Sequence, residues 1–143
     1  MRLILTLLCC ALPALAQALD YRSLSDNAIV YDATSRQAKP QFILRKGTPV
    51  EQLVALEGWI KVREAGGGIG WVERSLVSER RQLIVTKANS EVRLTAADDA
   101  AVVFVAARDL VLEMADKPAG SWVKVRHRDG RSGFIDIKSV WGL

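Results

Sequence analysis

Apolar and polar residues alternate along most of the chain beyond residue 19, and no long window keeps a helical period, so the pattern predicts short β-strands. In Trp59-Ile60-Lys61-Val62-Arg63, Ile60 and Val62 fall on one side of a strand, while Trp59, Lys61 and Arg63 fall on the other. The same split returns at Val123 and Val125 against Trp122, Lys124 and Arg126. Burying the Ile/Val side leaves each strand with an outward row of one tryptophan and two cations.

These two strands are copies of one unit. Residues 59 to 77 and 122 to 140 align without gaps and share seven identities in nineteen positions. Self-similarity at a fixed period makes each copy a structural unit. A turn follows each strand: Glu64-Ala65-Gly66-Gly67-Gly68 in the first copy and His127-Arg128-Asp129-Gly130-Arg131 in the second. Glycine and Asp-Gly tolerate the positive φ that hairpin turns require. The glycine run is not read as a phosphate loop, because it leads into the strand Trp71-Val72 and not into a helix. Gly70 and Gly133 each precede an aromatic residue, which predicts a bulge or a close backbone approach.

Upstream, strands are expected at Ala28 to Tyr31, Phe42 to Leu44 and Val50 to Leu56, and in the second copy at Val92 to Leu94, Ala101 to Val105 and Leu110 to Met114. Pro40 and Pro49 suit strand edges or turns. The stretch Ala96 to Arg108 is alanine-rich, yet β-branched and aromatic residues at Val102 to Val105 favour a strand there. The connection Ser78-Glu79-Arg80-Arg81-Gln82 contains neither proline nor glycine, unlike a flexible linker. The units are therefore expected to pack together with shared burial, since units this small bury only about 60% of their unfolded surface alone. The expected organisation is residues 1 to 18 as a signal peptide, 19 to 82 as a first unit and 83 to 143 as a second.

The signal reading rests on Arg2, the apolar run Leu3 to Leu12 and the small-x-small site Ala16-Gln17-Ala18, with cleavage after Ala18 or after Ala16. The run is short of the roughly 20 residues of a membrane span, so no transmembrane segment is expected in the mature chain. Both cysteines, Cys9 and Cys10, fall in the removed segment, which excludes disulfides, cysteine metal sites and a cysteine nucleophile from the mature chain. Leu8 before Cys9, and Cys9 before Cys10, fit poorly with a lipid-anchoring motif. Without Arg2 the charge is 19 basic minus 16 acidic residues, or +3, interspersed along the chain, which does not point to nucleic acid.

Catalytic groups are sparse. His127 is the only histidine and is expected as a solvated turn residue. Asp98 and Asp99 are adjacent and so point to opposite faces if extended. No nucleophile motif accompanies the serines. The chain is read as non-catalytic, with no cofactor and no metal. The candidate ligand-binding residues are the two outward rows, Trp59, Lys61 and Arg63 and Trp122, Lys124 and Arg126, which place an amphipathic ring beside donors for carboxylate or phosphate. The alternative is that each tryptophan covers a barrel end or the junction between copies while the cations stay solvated. Trp71 and Phe134 are read as packing residues and Trp141 as the pin of the final strand.

Gly58-Trp59-Ile60-Lys61-Val62-Arg63, the glycine turn, Gly70-Trp71-Val72 and Leu76-Val77 resemble the bacterial Src-homology-3 (SH3) domain, as do Trp122 to Arg126, Asp129-Gly130, Gly133-Phe134-Ile135 and Val140. This resemblance implies an all-β protein: two tandem, closely packed SH3-like β-barrels after a cleaved signal peptide. It implies export to the periplasm or cell envelope, and a binding module for peptidoglycan peptides, glycans or an envelope protein, with an assembly accessory docking on one protein partner as the alternative. Trp59 and Trp122 match the groove tryptophan of eukaryotic SH3 domains. The acidic specificity loop and the proline-tyrosine pair of that groove have no counterpart, and Glu73 and Asp136 stand where the proline would fall.

Overall fold

A computed structural model describes residues 18 to 143. The expected signal peptide, Ala18 apart, lies outside the described residues, as do Cys9 and Cys10. From Tyr21 onward the chain forms two antiparallel sheets of seven short strands each. The first contains β1 (Tyr21–Leu24), β2 (Ala28–Tyr31), β3 (Pro40–Leu44), β4 (Pro49–Ala55), β5 (Trp59–Arg63), β6 (Ile69–Glu73) and β7 (Val77–Ser78), in the order β3-β2-β6-β5-β4-β1-β7. The second contains β8 (Gln82–Val85), β9 (Ser90–Arg93), β10 (Val102–Ala106), β11 (Val111–Met114), β12 (Trp122–Arg126), β13 (Ser132–Asp136) and β14 (Val140–Trp141), in the order β10-β9-β13-β12-β11-β8-β14. The two orders are the same path drawn twice. A short 3-10 turn, Arg74–Leu76 or Ile137–Ser139, precedes the last strand of each sheet.

Each sheet closes on its own apolar centre. Ile60 and Val62 join Leu24, Val30, Val50 and Val72 in the first, and Val123 and Val125 join Leu83, Val92, Leu112 and Ile135 in the second. Burial of one such side chain stabilises by roughly 1.5–3 kcal/mol, which is why the period-2 pattern fixes the register of β5 and β12.

The repeated glycines do two different jobs. Gly67 and Gly130 take φ of +95° and +94° in the hairpin turns. Gly70 and Gly133 lie under a neighbouring strand: a Cβ on Gly70 would sit 2.4 Å from Val30 Cγ1 and 2.8 Å from the Tyr31 carbonyl oxygen, and one on Gly133 would sit 2.5 Å from that of Arg93. The predicted close approach is therefore present in both copies, where β6 passes β2 and β13 passes β9.

The connection between the sheets is bonded to both. Ser23 Oγ donates to the Arg80 carbonyl at 2.6 Å, and the Met114 amide donates to that of Arg81 at 3.1 Å. Beside it the Tyr21 and Trp141 rings meet edge to face, 5.0 Å between centroids, and the Arg81 guanidinium lies 5.8 Å from the Tyr21 ring and donates to the Gly142 carbonyl at 2.7 Å. Burial and the nearby Glu51 carboxylate push the Tyr21 phenol upward in pKa. The copies are packed together, but shared burial is confined to this seam, because the two groups of buried apolar residues remain separate. Trp141 pairs with Ile84 on β8, as the pin of a final strand should, and its ring also reaches across to the first copy.

Candidate functional site

The β5–β6 hairpin, folded about its glycine turn, sets Trp59 opposite Glu73 and Lys61 opposite Trp71. All four therefore share the face turned away from the core. Trp59 is half-buried because the Tyr31 ring, at the end of β2, stands edge-on to it at 5.8 Å and 85°. Such a pair is worth about 0.5–1.5 kcal/mol beyond area and holds the indole in one orientation. Lys61 Nζ lies 5.8 Å from the Trp71 ring centroid, a cation–π contact on the same face. Arg36, from the loop between β2 and β3, grips Glu73 through two bonds of 2.9 and 2.6 Å. The site is thus an aromatic triad of Tyr31, Trp59 and Trp71 with an ammonium at one side and an arginine–carboxylate pair at the other.

In the second copy the β12–β13 hairpin sets Trp122 opposite Asp136 and Lys124 opposite Phe134. Trp122 is again half-buried and Lys124 exposed. The position occupied by Tyr31 in the first copy, opposite Trp71, is taken here by Arg93, opposite Phe134. Arg93 is bound to Glu91 and to the Ala100 carbonyl, and among the described residues no ring packs on Trp122 as Tyr31 packs on Trp59. Asp136 accepts from the Lys138 amide at 2.8 Å and so caps the 3-10 turn, where Glu73 instead holds an arginine.

Arg63 and Arg126 lie on the predicted face, but each is beside a cross-strand carboxylate: Arg63 is 3.5 Å from Glu51 and Arg126 is 3.8 Å from Glu113. Their donors are partly engaged within the protein, which leaves Lys61 and Lys124 as the freer cations of the two rows. Trp71 and Phe134, expected as packing residues, are half-buried and stand outside both groups of core residues. Gly70 and Val72, and Gly133 and Ile135, take the buried side, so strand alternation puts both aromatics on the outward face.

His127 also departs from expectation. It is largely covered, its ring tilted against Phe104 at 5.7 Å, and its Nδ1 is 2.9 Å from an Asp129 carboxylate oxygen. Arg131 closes this turn by stacking over Phe104 at 4.8 Å and bonding Asp129. The Arg131 side chain and amide, with His127, hold the Asp129 carboxyl well below the usual carboxylate range. In the first copy Glu64 does the equivalent work, accepting from the amides of Gly66 and Gly68 at 2.6 Å each.

Sequence reasoning missed Tyr31, Arg36 and Glu73. The hairpin turn carries a signal for Glu73 and for the outward placement of Trp71, since counting outward from Gly66, the middle of the Glu64 to Gly68 turn, pairs them with Trp59 and Lys61. Tyr31 and Arg36 come from β2 and its loop, a contact that no local pattern announces.

The family model described as the bacterial SH3 domain matches residues 25–79 and again residues 86–142. Among curated proteins none matches the chain. Solved structures similar to it include NlpC2 from Trichomonas vaginalis (12% identity over 87% of this chain and 48% of that one, TM-score 0.40). They also include NlpC1 from the same organism (14%, 89% and 47%, TM-score 0.41) and an NlpC/P60 family protein from Bacillus cereus (9%, 85% and 55%, TM-score 0.41). The chain spans about half the length of these structures. With both copies matched and the same strand path drawn twice, the chain belongs to the bacterial SH3 domain family as a tandem pair.

Proposed function

We propose that the chain is an exported, non-catalytic binding module of the cell envelope that recognises peptidoglycan peptides through its outward tryptophan faces. Trp59 and Lys61 form the principal face, and Trp122 and Lys124 a second, simpler one. The observation that carries this reading is Trp59 held edge-on by Tyr31 beside Lys61 and Trp71. A fixed indole offers apolar surface at little entropic cost, and the ammonium offers a partner to a peptide carboxylate. Arg63 and Arg126 flank these faces in a supporting role. Cosedimentation of residues 19 to 143 with purified peptidoglycan tests the proposal. Wild type should pellet and a folded Trp59→Ala variant should not; a folded variant that pellets like wild type would remove Trp59 from the site.

A second reading, docking on one envelope protein, draws on the free edges of the sheets. β3 and β10 are terminal strands with exposed apolar residues, Ile43 at 69% and Val105 at 56% exposure. Unpaired edges of this kind accept an added strand. Co-purification of a single polypeptide, unaffected by Trp59→Ala, would favour it.

A further inference from the structure

Two clefts meet at the junction between the copies. One, of about 640 Å³, is lined by Ile43, Ile84 and Leu110 together with Arg45, Lys46 and Arg128. The other, of about 330 Å³, is lined by Arg80, Glu113, Arg126 and Arg128 among others. They share Gln82, Val111 and Arg128, so they form one groove running from the end of β3 to the β12–β13 turn.

Its charge is unbalanced. Five cations line it (Arg45, Lys46, Arg80, Arg126 and Arg128) against two carboxylates, Asp109 and Glu113. Glu113 is already shared by Arg80 at 3.6 Å and Arg126 at 3.8 Å. Among the described residues Arg45, Lys46 and Arg128 pair with no carboxylate within 4.0 Å. The groove's surplus of three positive charges equals that of residues 19 to 143 as a whole, 19 basic against 16 acidic, so the remainder of this surface is balanced, 14 against 14. A surplus gathered in one concave place focuses potential there and recruits anions.

We infer that this groove is a second binding site, distinct from the tryptophan faces, that takes an extended acidic peptide. Three features select that ligand. The isoleucines and leucine of the groove's lining accept apolar side chains, which a bare phosphate lacks. Arginine forks match carboxylates in two-point geometry. The groove begins where the terminal strand β3 ends, and an edge strand presents unpaired backbone groups to an extended chain. Carboxylates of the peptide meet Arg45, Lys46 and Arg128, and its apolar side chains meet Ile43, Ile84 and Leu110.

The test uses residues 19 to 143 and a fluorescent octapeptide of alternating Glu and Val, with the Lys-Val octapeptide, inorganic phosphate and phosphatidylglycerol vesicles as comparison probes. Wild type should bind the Glu-Val peptide and not the Lys-Val one, with affinity falling as NaCl rises. The doubly charge-reversed variant Lys46→Glu/Arg128→Glu, whose changes are on exposed side chains and whose fold is verified by circular dichroism, should lose at least tenfold. Trp59→Ala should bind the peptide as wild type does. Equal binding by the double variant, loss with Trp59→Ala, or binding of phosphate or vesicles without the peptide would each overturn the inference. Peptidoglycan retention that survives in the double variant leaves the tryptophan-face reading intact, so the two sites fail separately.

Discussion

The two copies share a frame and differ in what they mount on it. Buried positions correspond almost one for one: Val30 and Val92, Val50 and Leu112, Val62 and Val125, Val72 and Ile135. The glycines that allow close approach correspond too. Around the tryptophan the match ends. Tyr31 has become Arg93, the arginine-held Glu73 has become the cap Asp136, and the Glu64 turn has become the His127–Asp129–Arg131 cluster. A barrel this small tolerates little change inside, because each core side chain carries a large share of its stability, whereas its outer face is free to diverge. Divergence on the outward side and in the hairpin turns is what separate recognition tasks would produce.

The largest effect tests the shared frame. Gly70→Ala and Gly133→Ala should each destabilise by about 1–3 kcal/mol, since the new methyl collides with backbone that cannot yield. Urea unfolding followed by tryptophan fluorescence should give similar losses for both; a harmless change in one copy would mean that the frames differ more than their strand orders do.

Next comes the faces' asymmetry. Trp59→Ala should weaken retention on peptidoglycan about tenfold, equivalent to about 1.4 kcal/mol, and Trp122→Ala by clearly less, because Trp122 lacks an aromatic buttress. Tyr31→Ala should reproduce part of the Trp59 loss with the indole still present. Equal losses for the two tryptophans would erase the distinction drawn between them.

A smaller effect addresses the seam. Trp141→Ala removes an edge-to-face pair worth about 0.5–1.5 kcal/mol. It should separate the unfolding midpoints of the two copies and raise proteolysis near Arg80 and Arg81.

The smallest effect is on pH. The Asp129 carboxyl is depressed by Arg131, so its contribution to stability is complete above the ordinary carboxylate range and disappears as pH falls through its lowered folded value. The second copy should therefore lose a slight, salt-sensitive increment in acid, and Asp129→Asn should abolish that increment. Thermal melts of both proteins between pH 5 and pH 2, read in low and high salt, would show it.

Much of this architecture was legible in the chain. The strands at Ala28 to Tyr31 and Trp59 to Arg63, the strand within the alanine-rich stretch, and the tight passage at Gly70 and Gly133 all follow from alternation and glycine placement. Tyr21–Leu24 was not anticipated, because four residues after a signal-like segment give alternation too little length to register. The face itself was half legible. Trp59 and Lys61 are neighbours in one strand, but Tyr31 and Arg36 arrive from 28 and 23 residues upstream of Trp59, and only closure of the barrel brings them in. His127 was misjudged for a related reason: its cover, Phe104, belongs to a strand that sequence proximity does not link to the turn.

The connection at Arg80 and Arg81 is bonded to strands on either side of it, which restrains the copies relative to one another. A pair of recognition surfaces on such a join behaves as a caliper. Once one surface is occupied, the second meets its ligand at an effective concentration set by geometry alone, high where the ligand repeats at the matching interval and nearly zero elsewhere. A flexible tether would make the same two surfaces tolerant of any spacing. With a rigid one, avidity itself becomes selective, so if both proposed surfaces bind one polymer, its period decides how tightly it is held.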